Sequence, residues 1–391
     1  MKKYIIFLTL CSFLILCGCI TEYEAKDIDK MADILVVDGI ISDNETVITL
    51  KRSMNLTGEL DYSFSDYVNH ARVYVECDDG TQWSADNDYG YNGQYTVRLG
   101  QLNPDRKYRL KIEIDEVDGD CIYDPWSRSS CPNKTYEYCS VYSYPIRTPE
   151  IDSIFWLKRG REQPVMIHVA THSLNNEILY YRWSYKEDWE IVSDRSLEPY
   201  PVYCWNKASS NGLLIGSAEK TVFGRLTDKL TEFPPYDRRL SHLYRIVVNQ
   251  NAISKRAYDY FANIRRNAEN TGSIFAPIPS ELRGNITCTT DLKRPVIGYI
   301  DVSSATQKTR YILRQDYPYL YEQPRYDCNA LTKEKVCEEL GISPEFCDTY
   351  DIPEDWVVYS YFPVISYIKI KCVDCTFYGT TQKPEDWPNN H

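Results

Sequence analysis

The one Cys-x-x-Cys in this chain is Cys372-Val373-Asp374-Cys375, and its spacing allows two chemistries. A Cys-x-x-Cys pair can supply half of a tetrahedral zinc site, or it can be two halves of disulfides. Zinc needs two further ligands. The chain offers five histidines (His70, His168, His172, His242 and His391) and no second Cys-x-x-Cys, so no metal site is expected. His168 and His172 lie four apart on an alternating strand pattern, which puts them on one face but about 13 Å apart, too far to share an ion. Nucleophilic catalysis would need a serine or cysteine with a histidine and an orienting carboxylate. No Gly-x-Ser-x-Gly, His-Glu-x-x-His, phosphate-cradling glycine loop or Rossmann fingerprint occurs. A carboxylate pair for glycoside hydrolysis could come from anywhere among 56 acidic residues, so their number carries no information. We expect no catalytic residue and no cofactor.

A different cysteine chemistry is written at the start. Lys2 and Lys3 precede an uncharged run from Tyr4 to Leu16, and Leu16-Cys17-Gly18-Cys19 closes it. That is the layout of a secretory signal, too short to span a bilayer comfortably, which takes about 20 residues. Leu at −3 and Gly at −1 resemble the lipobox of bacterial lipoproteins, which implies acylation of Cys19. Acyl chains contribute about 0.8 kcal/mol per buried methylene, enough to anchor without a spanning helix. The expectation is a signal peptide over 1–18, a lipidated tether over 19–33, and an extracytoplasmic body. Glu22, Glu24, Asp27 and Asp29 in the tether resemble the surface-export signal of Bacteroidota lipoproteins. A cell-surface place on the outer membrane follows.

The formal charge of −12 argues against nucleic acid and against anionic membrane surfaces as ligands. Of the 14 cysteines, Cys11 and Cys17 leave with the signal and Cys19 takes lipid. Eleven remain, an odd number in an oxidising compartment, so at least one is left over. Cys121, Cys131 and Cys139 cluster in one irregular segment, and Cys328, Cys337 and Cys347 in another; with Cys372 and Cys375 these are the candidate disulfide cysteines.

The elements around them are strands. Residues 34–41 and 46–50 form a hairpin pattern, and Ala71–Cys77 alternates before the turn Asp78-Asp79-Gly80. Gln94–Leu99 follows, then Leu102-Asn103-Pro104 before Tyr108, resembling the tyrosine corner of immunoglobulin-like sandwiches. Residues 34–116 are therefore read as one β-sandwich and 117–149 as a Cys-rich connection at a domain boundary. Residues 150–391 form a second β-rich domain, with strands at Ile151–Leu157, Val165–Ala170 and Leu179–Tyr185. Trp183 there resembles the tryptophan of a fibronectin-type third strand. One helix is expected over 254–269, with Ser254 as N-cap and Ala257, Tyr260, Phe261 and Ile264 on one face. The fold class is mainly β: two immunoglobulin/fibronectin-like β-sandwich domains, an inserted helix and disulfide-stapled loops.

Aromatics gather in turn-rich segments. Tyr89, Tyr91, Tyr317, Tyr319 and Tyr321 are the candidate binding residues, and Tyr359, Tyr361 and Phe362 form a similar group. Tyrosine suits protein interfaces and sugar platforms because it gives contact area at little entropy cost. A glycan or a peptide is the ligand class this suggests.

The ending Cys372–Trp387, with Gly272–Pro279 and Arg283–Ile286, resembles the Bacteroidota outer-membrane lipoproteins of domain-of-unknown-function family 4249. The chain departs in having Gly379-Thr380-Thr381 where a second glycine is expected, and in its extra cysteines. The resemblance implies an outer-membrane lipoprotein partnered with a TonB-dependent receptor, without established enzymatic activity and without catalytic residues to carry over. A non-catalytic accessory or ligand-capture subunit is the expectation. A surface glycan- or peptide-hydrolysing enzyme and an adhesive or structural surface protein remain as alternatives.

Overall fold

The computed structural model describes residues 34–53, 67–86, 92–117, 133–173, 177–235, 237–270, 284–316 and 328–388. Over these residues it is mainly β, with several antiparallel sheets, few helices and three disulfides among them. Among the described residues no helix is long and apolar enough to cross a membrane.

The first seven strands are β1 (Leu35–Gly39), β2 (Asn44–Arg52), β3 (Arg72–Cys77), β4 (Gln82–Ser84), β5 (Gln94–Gly100), β6 (Tyr108–Val117) and β7 (Asn133–Ser140). Period-two alternation turns one face of each inward. Leu35 and Val37, Ile48 and Leu50, and Tyr95 and Val97 come from one sheet, in which β1, β2 and β5 are neighbours. Val73 and Val75, Leu110 and Ile112, and Tyr138 come from another, ordered β7-β6-β3-β4, and both sets join one core. Each such side chain contributes about 1.5–3 kcal/mol on burial. Before β6, the Asn103 N–H donates to the Tyr108 hydroxyl at 2.9 Å, tying the turn to the strand it opens.

A second body has its own sheets and core. β8 (Ile151–Leu157), β9 (Val165–Thr171) and β13 (Leu226–Phe233) make one sheet. β10 (Tyr180–Val192), β11 (Tyr203–Ser209), β14 (Leu243–Ala252) and β17 (Ala305–Leu313) make the other, ordered β11-β10-β14-β17, with β12 (Leu214–Ser217) also on β10. Ile154, Ile167, Val169 and Phe233 share a core with Trp183, Tyr244, Ile246 and Ile312. The Trp183 indole donates to Gln250 at 2.8 Å, and Gln250 donates to the Pro149 carbonyl at 2.8 Å, so these two buried side chains are both satisfied.

Between β14 and β17 the chain leaves the second body to complete the first. Helix α1 (Lys255–Asn270) follows β14, then come β15 (Ile286–Cys288) and β16 (Val296–Gly298). β16 pairs in parallel with β1 and β15 antiparallel with β7. Gly284 is required at the entry, because a Cβ there would lie 1.5 Å from the Gly298 carbonyl oxygen. Asn285 then exchanges two side-chain hydrogen bonds with the Ile300 backbone, at 2.7 and 2.8 Å. Helix α1 packs between the bodies: Ala257, Tyr260 and Phe261 meet Tyr180 and Ile215 of one, and Ile40, Ile297 and Tyr299 of the other. Ser254 caps it by accepting from the Ala257 N–H at 3.1 Å.

Three sequence expectations change here. The segment 117–149, read as a connection at a domain boundary, contains β7, and Ile146 bridges Ser303 beyond it. Residues assigned wholly to the second domain supply β15 and β16 to the first. The helix runs from Lys255 to Asn270, one residue later at each end than the spacing suggested.

The last elements are β18 (Leu331–Thr332), α2 (Lys333–Glu339), α3 (Pro344–Cys347), β19 (Trp356–Ser360) and β20 (Ser366–Lys369), with the strands ordered β18-β20-β19.

Candidate functional site

Two of the groupings of ionisable side chains in the described structure join three or more groups across neighbouring strands. On β10, Glu187 is 2% exposed, and Arg239 binds one of its carboxylate oxygens at 2.9 Å. The Tyr244 hydroxyl donates to the other at 2.7 Å, and desolvation, reinforced by Glu187, lifts that phenol well above its ordinary range. Arg239 also holds Asp237 at 2.6 Å and lies 4.0 Å over the Phe233 ring. His242 meets Glu190 at 2.7 Å close by. The charges here bind one another, as a buried ionic network must. A group whose bonds are directed inward like this holds the sheet ends together.

The second gathering is a ladder across the outer face of β3, β6 and β7. Arg109 pairs with Glu76 at 2.6 Å, Lys111 with Glu113 at 3.0 Å and Glu137 at 3.1 Å, and Arg72 with Asp115 at 2.7 Å. The Arg72 hydrogen bond, with help from Thr135, pulls the Asp115 carboxyl down to about 2. Opposite charges facing across strands stabilise pairing, and these do so mutually.

The candidate disulfide cysteines sort differently. Cys337 bonds Cys347, Cys328 bonds Cys372, and Cys375 bonds Cys204 on β11, a residue the sequence reading did not select. Neighbours in Cys372-Val373-Asp374-Cys375 thus go to separate partners. Cys139 is corrected: it is a free, buried thiol on β7, pushed up to about 11 by burial, with its Sγ 3.7 Å from a Glu137 oxygen. Cys77 and Cys288 are likewise free and buried. Asp194, Cys328 and Cys372 bring three ligand atoms within 4.8 Å of one another, but the two sulfurs are bonded to each other and are not thiolates. Cys19, Cys121, Cys131, Tyr89, Tyr91, Tyr317, Tyr319 and Tyr321 lie outside the described residues.

What remains is the C-terminal module, residues 328–388. Its apolar cluster is small: Ile368, Cys372 and Val373, ringed by Leu197, Tyr200, Val357, Tyr359 and Ile370. The module is fastened to the edge of the second body through Cys204–Cys375 and a two-bond bridge between Trp205 and Thr380, both bonds 2.8 Å. Asn206 donates to the Tyr378 carbonyl at 2.9 Å, and Trp387 is buried with the Arg245 guanidinium 5.4 Å from its ring. Asp374 accepts from the Thr376 N–H at 2.8 Å and shapes the turn between the two cystines.

At the far end of its hairpin the module does the opposite of burying. Between β19 and β20, Tyr361 is 77% exposed, Phe362 87%, Val364 60% and Ile365 45%. The turn is nonetheless fixed locally: the Ser360 hydroxyl donates to the Phe362 carbonyl at 2.8 Å and accepts from the Phe362 N–H at 3.2 Å. Sequence reasoning saw the aromatics of this stretch, but only the fold shows them pointing into water.

Comparison with known proteins adds a family. No curated protein matches the chain. Among solved structures, chitinase ChiA74 from Bacillus thuringiensis aligns with 56% of this chain and 30% of its own length. Identity is 10% and the TM-score 0.13, too slight an overlap to support an argument about fold or activity. A family model described as "Domain of unknown function (DUF4249)" matches residues 20–119 and 131–309. The two bodies, including α1, β15 and β16, fall almost wholly inside the match, whereas the module and its Cys372–Trp387 ending lie beyond it. With most of its length matched, the chain belongs to the DUF4249 family.

Proposed function

We propose that this protein is a non-catalytic lipoprotein of the outer-membrane surface, anchored through Cys19, that serves as an accessory or ligand-capture subunit of a TonB-dependent transporter. The carrying observation is the exposed apolar hairpin tip, Tyr361–Ile365, on a rigidly stapled module. Contiguous exposed apolar surface marks an interaction site. The buried and cross-strand charge clusters support the same reading, because their bonds are made to one another.

We read both bodies as immunoglobulin/fibronectin-like sandwiches. β1-β2-β5 against β7-β6-β3-β4, and β8-β9-β13 against β11-β10-β14-β17, repeat one strand order. The bond from Asn103 to Tyr108 fits the tyrosine corner of such sandwiches. Sandwiches of this kind present loops and edges to partners, which suits a docking subunit.

The test is affinity purification of the tagged, full-length protein from gently solubilised outer membranes, with mass spectrometry of what accompanies it. A TonB-dependent receptor at near-equal amount is the expected result. Recovery of the lipoprotein alone would overturn the accessory role.

A further inference from the structure

We infer that the hairpin tip Tyr361-Phe362-Pro363-Val364-Ile365 is the anchor that enters a protein partner, and that the receiving surface is an apolar cleft with a basic rim. This rests on the proposed accessory role and names the contact through which it works.

Three observations lead there. The first is composition and exposure: two aromatics and two β-branched residues stand side by side in solvent at the end of one hairpin. Aromatic side chains at the centre of a contact carry much of the binding energy at protein interfaces. The second is rigidity. Ser360 ties the turn through both of its hydrogen bonds, and β20 is pinned behind it by Ile368 and the Cys328–Cys372 cystine. A tip already held in shape loses little freedom on docking, so more of its contact energy appears as affinity.

The third observation is charge, and it chooses the occupant. Residues 328–388 contain eleven acidic and five basic side chains. Two of the basic ones are engaged within the module: Lys369 on Glu339, and Lys333 on the Asp348 carbonyl. A surface of that sign favours a partner rimmed with lysine and arginine. It disfavours insertion among anionic lipid headgroups, and it disfavours a second copy of the same acidic module.

The experiment uses the full-length lipidated protein in its native outer membrane. A photo-crosslinking p-benzoylphenylalanine replaces Phe362, and in a control it replaces Leu292, which is 85% exposed on the first body. A light-dependent adduct with the TonB-dependent receptor should form from position 362 and none from 292, mapping to a receptor peptide beside lysine or arginine. In parallel, Y361S/F362S should lower receptor recovery at least about tenfold, as loss of a central aromatic anchor does. Its level in the membrane should not change. Adducts with lipid only or with a second copy only, or unchanged recovery in the double variant, would overturn the tip assignment while leaving the accessory role standing. Wild-type protein that brings down no receptor would overturn both.

Discussion

In the first body, twenty buried side chains close one core, the thiols Cys77 and Cys288 among them, and Cys139 is a further buried thiol on β7. In the module the fully buried apolar cluster is Ile368, Cys372 and Val373, and three cystines hold it. The difference follows from size. A large core offsets chain entropy by burial, whereas a unit of some sixty residues with a small core needs staples that restrict its unfolded state. Covalent restraint has a functional corollary. Because its stability does not depend on hiding every apolar group, the module can leave Tyr361, Phe362, Val364 and Ile365 in water.

If the body lives by packing, breaking its core should give the largest effect. Trp183→Ala removes a buried indole and strands the Gln250 acceptor, so it should cost about 3–5 kcal/mol in urea unfolding of the whole body. A loss under 1 kcal/mol would mean that the β10–β14 core is not what holds it.

Breaking the staple should give a comparable but confined effect. C204S/C375S removes a link closing 171 residues, worth about 2–4 kcal/mol. Hydrogen exchange should then rise across 328–388 and stay unchanged in β6 and β14. Uniform loss of protection in both regions would erase the distinction between body and module.

A smaller effect sits where the bodies meet. Burial raises Asp301 above its ordinary value near 3.8, with hydrogen bonds from Ser254 opposing the shift. A carboxyl raised by folding contributes stability fully below its unfolded value and loses it as pH climbs through the folded one. The melting temperature of D301N minus that of wild type should therefore increase as pH rises through that window. A difference flat with pH would contradict a buried, raised carboxyl at the α1 cap.

The smallest stability change belongs to the tip. Y361S/F362S touches two side chains already in solvent, so unfolding should move by no more than about 0.5 kcal/mol.

Much of the body was legible in the sequence because alternation is local. Ala71–Cys77, Tyr108–Ile112 and Val165–Ala170 declare themselves, as do Ser254 and the apolar face behind it. β7 was not, since Asn133–Ser140 has polar residues between its tyrosines and follows Cys131-Pro132 in an irregular stretch. β15 and β16 are three residues each, and their partners lie about 150 and 260 positions earlier, beyond any local signal. The same distance hid Cys204 from Cys375. At the tip the aromatic run was readable, but exposure is a property of the assembled module. The tyrosines the sequence singled out, at 89, 91, 317, 319 and 321, lie outside the described residues.

Titrating a purified TonB-dependent receptor with the purified protein and with its Y361S/F362S variant gives the two Kd values that decide whether the tip is the anchor. Wild-type binding should saturate, and the variant should bind at least about tenfold more weakly at equal stability. Equal Kd for the two proteins would contradict the tip assignment.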